Sequence, residues 1–309
     1  MTEDGPACPI CRQSDAYPWA IASDVEYCTS DDKFQYWRCG ECGVLFLSPP
    51  PVSSLSQIYP ANYYAYSSNE QSLVYRVKDR FDALLFRNVL DQQPGTQLRI
   101  LDVGGGDGWL LGTIRSLDKR VVETQVVDMD PEAEKSARQQ GHGYFCGRVE
   151  DFQTETRFDL ILMLNIIEHV ADPVAVLSRV RTMLAPTGII LLKTPNTDSF
   201  DARLFRNRNW GGFHCPRHWV LFNCENFSTV ADEADLQVRH LTYTQGAPFW
   251  TVSVLAALAQ RRAVSTAERP MVRHPLFPVL SAIFAVFDLA RSWFGAKTSQ
   301  MFVELGMRG

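Results

Sequence analysis

The chain has 309 residues, 46% of them hydrophobic and 21% charged, with 30 Lys plus Arg against 35 Asp plus Glu and a formal charge of −5. That composition excludes collagen, coiled-coil and disordered classes, and the acidic balance offers no overall attraction to phosphate backbones, which disfavours a nucleic-acid partner. Residues 1–20 lack a basic segment followed by an apolar stretch, so no secretory signal is read and a cytoplasmic location is expected.

Eight cysteines in a reducing compartment point to metal or free thiols before disulfides. Four of them form two short hooks, Cys8-Pro-Ile-Cys11 and Cys39-Gly-Glu-Cys42, with 27 residues between. This is zinc-ribbon spacing: each hook can offer two thiolates to a tetrahedral Zn²⁺ at roughly 2.3 Å. All four positions would be filled by protein, which makes the expected site structural, and Gly40 and Gly43 let backbone N–H groups turn toward the sulfurs. Cys28, Cys146, Cys215 and Cys224 have no such spacing and read as ordinary thiols. The run Ser48-Pro49-Pro50-Pro51 is too rich in proline for a helix or central strand, so the ribbon domain is expected to span residues 1–52.

Residues 58–68 are dense in tyrosine with little charge, and they are expected to cover something. Leu73, Val77, Phe81, Leu84 and Leu85 then recur at helical spacing and predict an amphipathic helix over 72–90, so that 53–97 forms a connecting segment. From residue 98, short apolar runs alternate with helical stretches in the rhythm of a parallel sheet covered on both faces. Strands are predicted at 98–103, 122–128, 143–146, 158–165 and 188–194, with a helix opened by Asp172-Pro173 and another at 223–235. Two late strands, 236–244 and 300–307, flank a long insertion, so the sheet is expected to close with sequence-distant strands that can run antiparallel. The predicted fold is α/β, a doubly wound, mostly parallel seven-stranded sheet behind a small N-terminal zinc ribbon. Its core spans 98–245 with an acceptor loop at 198–222, followed over 246–309 by an apolar helical insertion and the last strand.

The segment Ile100-Leu101-Asp102-Val103-Gly104-Gly105-Gly106-Asp107-Gly108-Trp109 is an apolar strand ending in an acid and a glycine loop. Such a loop lets backbone N–H groups approach a ligand closely. A dinucleotide site requires Gly-x-Gly-x-x-Gly, but from Gly104 the third glycine position is Trp109. Asp102, Gly104, Gly106 and Gly108 instead resemble motif I of class I S-adenosylmethionine-dependent methyltransferases. Four further segments match that family in order. Val126-Val127-Asp128-Met129 ends the next strand with an acid able to accept both ribose hydroxyls. Gly147-Arg148-Val149-Glu150 resembles the adenine side, with Arg148 where an acid is common. Asn165-Ile166-Ile167-Glu168-His169 and Lys193-Thr194-Pro195-Asn196 resemble the fourth and fifth strand ends. The resemblance implies S-adenosylmethionine as cofactor, held by Asp102, Gly104, Gly106, Gly108, Asp128, Met129 and Glu150. It also implies that Asn165 lines the methyl side and that Tyr63 closes over the methionine end.

The ribbon, the Tyr-rich segment, this core and the His-rich loop 209–222 together resemble bacterial methyltransferases that act on sugars and polysaccharides. The resemblance implies a small-molecule or glycolipid acceptor. His218 is the first choice for the base that takes the acceptor's proton, with His169 and His214 beside it, and the alternative reading of each is a structural histidine. C-methylating relatives carry a Glu-His pair where Arg217 precedes His218, which shifts the expectation to methylation of a hydroxyl. Arg217 would suit a phosphate or carboxylate on the acceptor, and Trp210 and Trp219 would either stack on a sugar or pack. In the apolar stretch 275–294, Asp288 and Arg291 interrupt the run, so it reads as a lid, a dimer helix or a peripheral membrane contact, not as a span. C-methylation of a nucleotide keto-sugar, methylation of RNA and a non-catalytic binding module of the same fold remain as alternatives.

Overall fold

The computed structural model describes residues 5–59, 83–264 and 271–309; Tyr63 and most of the helix expected over 72–90 lie outside them. Strands β4 (Leu98–Val103), β5 (Val121–Asp128), β6 (Gly143–Cys146), β7 (Phe158–Leu164) and β8 (Leu184–Pro195) alternate with helices Trp109–Leu117, Pro131–Gln139 and Pro173–Arg181. β10 (Leu236–Thr244) and β11 (Gln300–Met307) complete a seven-stranded sheet in the order β10-β11-β8-β7-β4-β5-β6. β4 pairs in parallel with both β5 and β7, whereas β11 runs antiparallel between β8 and β10. Ile100, Leu101, Leu160, Ile161, Leu162, Ile190 and Leu191 are fully buried, as strands covered on both faces require. The helix starts follow from local chemistry. Asp130 and Asp172 accept backbone N–H groups from Glu132 and Ala175, each with proline at the first helical position, which needs no N–H partner.

The N-terminal unit is built on β1 (Tyr17–Ser23), β2 (Lys33–Arg38) and β3 (Leu45–Leu47), paired antiparallel in that order. Its fourth strand is β9 (Val220–Leu221), which follows β8 in the chain and pairs with β3. The two units share one hydrophobic cluster that runs from Ile10, Tyr36 and Phe46 to Phe213, Phe222 and Met163. The expected boundary at residue 52 therefore separates segments of sequence but not of packing.

Between β10 and β11 lie helices Ala247–Gln260 and Phe277–Trp293. The second helix has an inverted face: its one buried residue among those described is Asp288, while Val279, Ile283 and Val286 are exposed. Asp288 accepts from Trp250 Nε1 at 3.2 Å, Gly246 N at 3.1 Å, Ser299 Oγ at 2.7 Å and Arg291 at 2.9 Å, so the acid anchors the helix from inside. Trp250 stacks on Phe284 with centroids 5.1 Å apart.

Candidate active site

The glycine loop leaves β4 with Gly104, Gly106 and Gly108 at φ +75°, +51° and +79°, a region that side chains disfavour. A Cβ at Gly104 would meet the Ile166 side chain at 2.2 Å and one at Gly108 would meet the His142 ring at 2.5 Å, but one at Gly106 would meet nothing within 4 Å. Two of the glycines thus permit packing, and the third faces open space among the described residues. Across that space Asp128, at the end of β5, accepts the Gly106 N–H at 2.8 Å through Oδ2 and the Asp130 N–H at 2.9 Å through Oδ1. Each oxygen keeps a lone pair for a ligand hydroxyl. Asp102 lies buried under the loop, where desolvation and then the Asp128 charge push its carboxyl up to about 8, so it is protonated at neutral pH. Met129 is 64% exposed beside Asp128, and the Asp128 carbonyl accepts the Gly147 N–H at 2.8 Å. Glu150 is engaged by Arg148 in an ion pair.

In the sheet, successive strands are added on one side of β4 as β5 and β6 and then on its other side as β7 and β8, and ligands of open α/β sheets bind at such a switch point beyond the carboxyl ends of the strands. The segment leaving β7 therefore faces the glycine loop. Asn165, exposed at φ +56°, donates its N–H to the Lys193 carbonyl at 2.8 Å, and its Oδ1 accepts from Gln300 Nε2 at 3.0 Å. The turn Ile167–His169 follows.

Three histidines meet there. The rings of His169 and His218 are 4.6 Å apart, edge to face, and those of His214 and His218 4.9 Å apart. His169 Nδ1 lies 3.1 Å from the Arg217 carbonyl and 2.8 Å from the Tyr59 hydroxyl; His218 Nδ1 lies 2.8 Å from the Gly212 carbonyl. A carbonyl can only accept, so His218 Nδ1 carries the proton and its Nε2 holds a lone pair, whereas His169 Nδ1 sits between an acceptor and a hydroxyl that can serve either way. Burial pushes His169 down to about 3 and His218 well below the usual histidine range, which leaves both rings uncharged at neutral pH. His214 Nδ1 lies 2.5 Å from Glu26 on the N-terminal unit. Glu168 is wholly buried with neither carboxylate oxygen in a hydrogen bond of normal geometry among the described residues, and burial pushes it up to about 8 against a weaker opposing pull from Thr194.

Arg217 does not face an acceptor. It is wholly buried, donates to Asp24 at 3.0 and 3.3 Å and to the Ile58 carbonyl at 2.6 Å, and lies over the Tyr27 ring. A guanidinium already forked onto a carboxylate is spent on structure, which corrects the expectation of a phosphate contact. Trp210 and Trp219, 2% and 6% exposed, donate to Asp201 and the Pro216 carbonyl, so of their two readings packing holds. The four hook cysteines come together: Cys8 Sγ is 3.6 Å from Cys42 Sγ and Cys11 Sγ 3.5 Å from Cys39 Sγ.

Residues 69–241, more than half of the chain, match the family model for a methyltransferase domain. The chain belongs to that family. The ubiquinone biosynthesis O-methyltransferases of Rhodopseudomonas palustris strain BisB5 and Nitrobacter winogradskyi are 34% and 35% identical to it over 124 residues, 38% of this chain. The match spans about two-fifths of their length, 43% and 41% respectively. A solved methyltransferase structure from Galdieria sulphuraria superposes with a TM-score of 0.51 at 15% identity, covering 78% of this chain and 91% of that one, which shows the shared fold alone.

The methyltransferase site also contains residues that sequence reasoning passed over. Asp24, Glu26 and Tyr59 come from the N-terminal unit and the linker, and no motif tied them to the histidine loop. Gln300 arrives on β11 from the other end of the chain. Glu168, beside His169 in the turn after the fourth strand, reads from the sequence as a structural acid.

Proposed function

We propose that this methyltransferase transfers the methyl group of S-adenosylmethionine to a hydroxyl oxygen of a small or carbohydrate-containing acceptor, glycolipids included. The observation that carries this reading is the pairing, across the switch point, of a glycine loop open at Gly106 and bridged to Asp128 with an uncharged, buried histidine pair. S-adenosylmethionine, when bound, supplies a sulfonium methyl already activated for displacement, so the protein's tasks are alignment, proton removal and exclusion of water. Gly104, Gly106 and Gly108 let the chain approach the donor, Asp128 accepts its ribose hydroxyls, Met129 and Glu150 flank its base and Asn165 lines the methyl side. His169 and His218, uncharged beside Glu168, form the place where the acceptor's proton is drawn off, and His214 holds them through Glu26. Oxygen is favoured over carbon because Arg217, and not a glutamate, precedes His218, and because the curated relatives carry the name O-methyltransferase.

Cys8, Cys11, Cys39 and Cys42 suit one structural Zn²⁺, since sulfur pairs at 3.5 and 3.6 Å span about the edge of a tetrahedron with 2.3 Å bonds. Ile10 and Cys42 N–H groups already point at Cys8 and Cys39 sulfur, as thiolates require. The exposed apolar face of helix Phe277–Trp293 supports a peripheral contact with the lipid surface that presents the acceptor.

The test is calorimetric titration with S-adenosylmethionine and S-adenosylhomocysteine, with Asp128→Ala as control, followed by a screen of hydroxylated acceptors for methyl uptake. Micromolar binding lost in the variant is expected. A folded protein that binds neither ligand returns the reading to a binding module, and tight, salt-sensitive RNA binding would favour an RNA substrate.

A further inference from the structure

We propose that Glu168, His169 and His218 form a second metal site, separate from the cysteine hooks, that takes one divalent transition cation at the acceptor side of the crevice. The inference rests on the reading of this cluster as the acceptor side of the methyltransferase. One donor atom from each of the three residues lies within 4.8 Å of the others. His218 Nε2 and Glu168 Oε1 are 3.9 Å apart, too far for a hydrogen bond yet close enough for both to bind one ion at about 2.1 Å.

The hydrogen bonding around the cluster has the pattern that metal ligands need. His218 donates its Nδ1–H to the Gly212 carbonyl, which fixes its tautomer and presents Nε2 as a lone pair, and His169 is held at Nδ1 by the Arg217 carbonyl at 3.1 Å and the Tyr59 hydroxyl at 2.8 Å. The carbonyls are themselves held. Arg217 is clamped by Asp24, and Tyr36 donates to the Phe213 and His218 carbonyls at 3.1 and 2.9 Å. Glu168, wholly buried and with no hydrogen bond of normal geometry at either oxygen among the described residues, is the unexplained member: Thr194 is its one nearby donor, a desolvated carboxylate so poorly served is costly, and a cation removes that cost. Two neutral imidazoles and one carboxylate suit first-row cations such as Mn²⁺, Fe²⁺ or Zn²⁺, and three protein ligands leave positions open.

Those open positions define the role. An acceptor hydroxyl bound to the cation has its pKa lowered, so its proton passes to water without a histidine having to take it. The oxygen lone pair forms the O–C bond to the methyl, and the S–C bond breaks onto sulfur to leave a neutral thioether. A vicinal pair of hydroxyls, as in a catechol or a sugar diol, would fill two positions at once and is the acceptor class the site favours.

The test uses the full-length protein with its cysteine hooks loaded with zinc, titrated with Mn²⁺ and followed by loss of the free-ion electron paramagnetic resonance signal. One Mn²⁺ per chain is expected, displaced by one equivalent of Zn²⁺. Glu168→Gln and, separately, His218→Asn should weaken it at least tenfold while S-adenosylhomocysteine binding stays unchanged, which shows that the variants fold. A Co²⁺ arm should give ligand-field bands without thiolate charge transfer, which separates this site from the hooks. No Mn²⁺, Zn²⁺ or Co²⁺ binding beyond the hooks, or equal binding by wild type and both variants, overturns the proposal even if methyl transfer proceeds. Failure of methyl transfer with Mn²⁺ bound would instead count against the acceptor reading and leave the metal site standing.

Discussion

Asp24 and Arg217 form a two-pronged ion pair, 3.0 and 3.3 Å, in which neither side chain is exposed. Asp24 belongs to the N-terminal unit and Arg217 to the histidine loop, so one buried contact fixes the distance between them. The carbonyl of the same Arg217 accepts from His169, which makes the pair a positioning device for the site.

Breaking that pair should cost more than it contributes as an intact unit. Arg217→Ala leaves Asp24 charged and buried, and a loss of about 3–5 kcal/mol in urea unfolding is expected. Arg217→Lys should recover little of it, since an ammonium lacks the planar fork. A loss below about 1 kcal/mol for Arg217→Ala would mean that solvent reaches Asp24.

Gly106 separates donor contact from stability. Because a Cβ there meets nothing within 4 Å among the described residues, Gly106→Val should fold with a cost on the order of 1–2 kcal/mol for the left-handed backbone, yet weaken S-adenosylhomocysteine binding at least tenfold. Gly108→Val, facing the His142 ring at 2.5 Å, should lower the melting temperature further. Calorimetry and melting curves on the same samples compare the two.

Asp102 predicts a pH effect with a definite sign. An ordinary aspartate releases its proton near 3.8, whereas this one holds it up to about 8 in the folded chain. The native state therefore binds more protons across that window, and this group's contribution to stability falls as pH rises through it, by up to about 1.4 kcal/mol per pH unit. Asp102→Asn removes the effect, so the variant should gain on wild type steadily from pH 5 to pH 8 in thermal melts. Parallel curves would show that Asp102 is solvated.

How far the sequence could be read depends on what each residue's partner is. β4 to β8 and the glycine loop are local: apolar runs, breakers and caps sit next to one another in the chain, and the strands appear within a few residues of where the pattern puts them. Asp128 was legible because its distance from the loop is set by one helix and one strand. Arg217 was misread because its partner lies in a segment joined to it only by the fold. Glu26, Gln300 and Tyr59 were invisible for the same reason. The helix Phe277–Trp293 was legible as apolar, but not that it turns its acid inward.

Metal removal should act through the shared sheet. If zinc holds the hooks, chelation or Cys39→Ser loosens β3, and with it β9 and the histidine loop. Methyl transfer is expected to fall at least tenfold with donor affinity nearly intact, because Gly104–Gly108 and Asp128 hang on the other sheet. Equal loss of donor binding would show that the chain unfolds as a whole.

The inverted helix offers a vesicle assay. Val286→Asp and Ile283→Asp change exposed side chains, at 69% and 55% exposure, and should leave the melting temperature within a few degrees. Co-sedimentation of wild type with vesicles, abolished in the double variant, is the expected result; wild type remaining in the supernatant would remove the lipid contact.

The pairing of β3 with β9 also orders assembly. During synthesis, β1 to β3 emerge first and can pair locally, but the strand that finishes their sheet is made only after β8 has left the ribosome. The contact that joins the two units therefore closes over a long loop, the slow class of event in folding. The first part of the chain to be made is among the last to be completed, and until then its apolar residues Leu45, Phe46 and Leu47 remain without their cover.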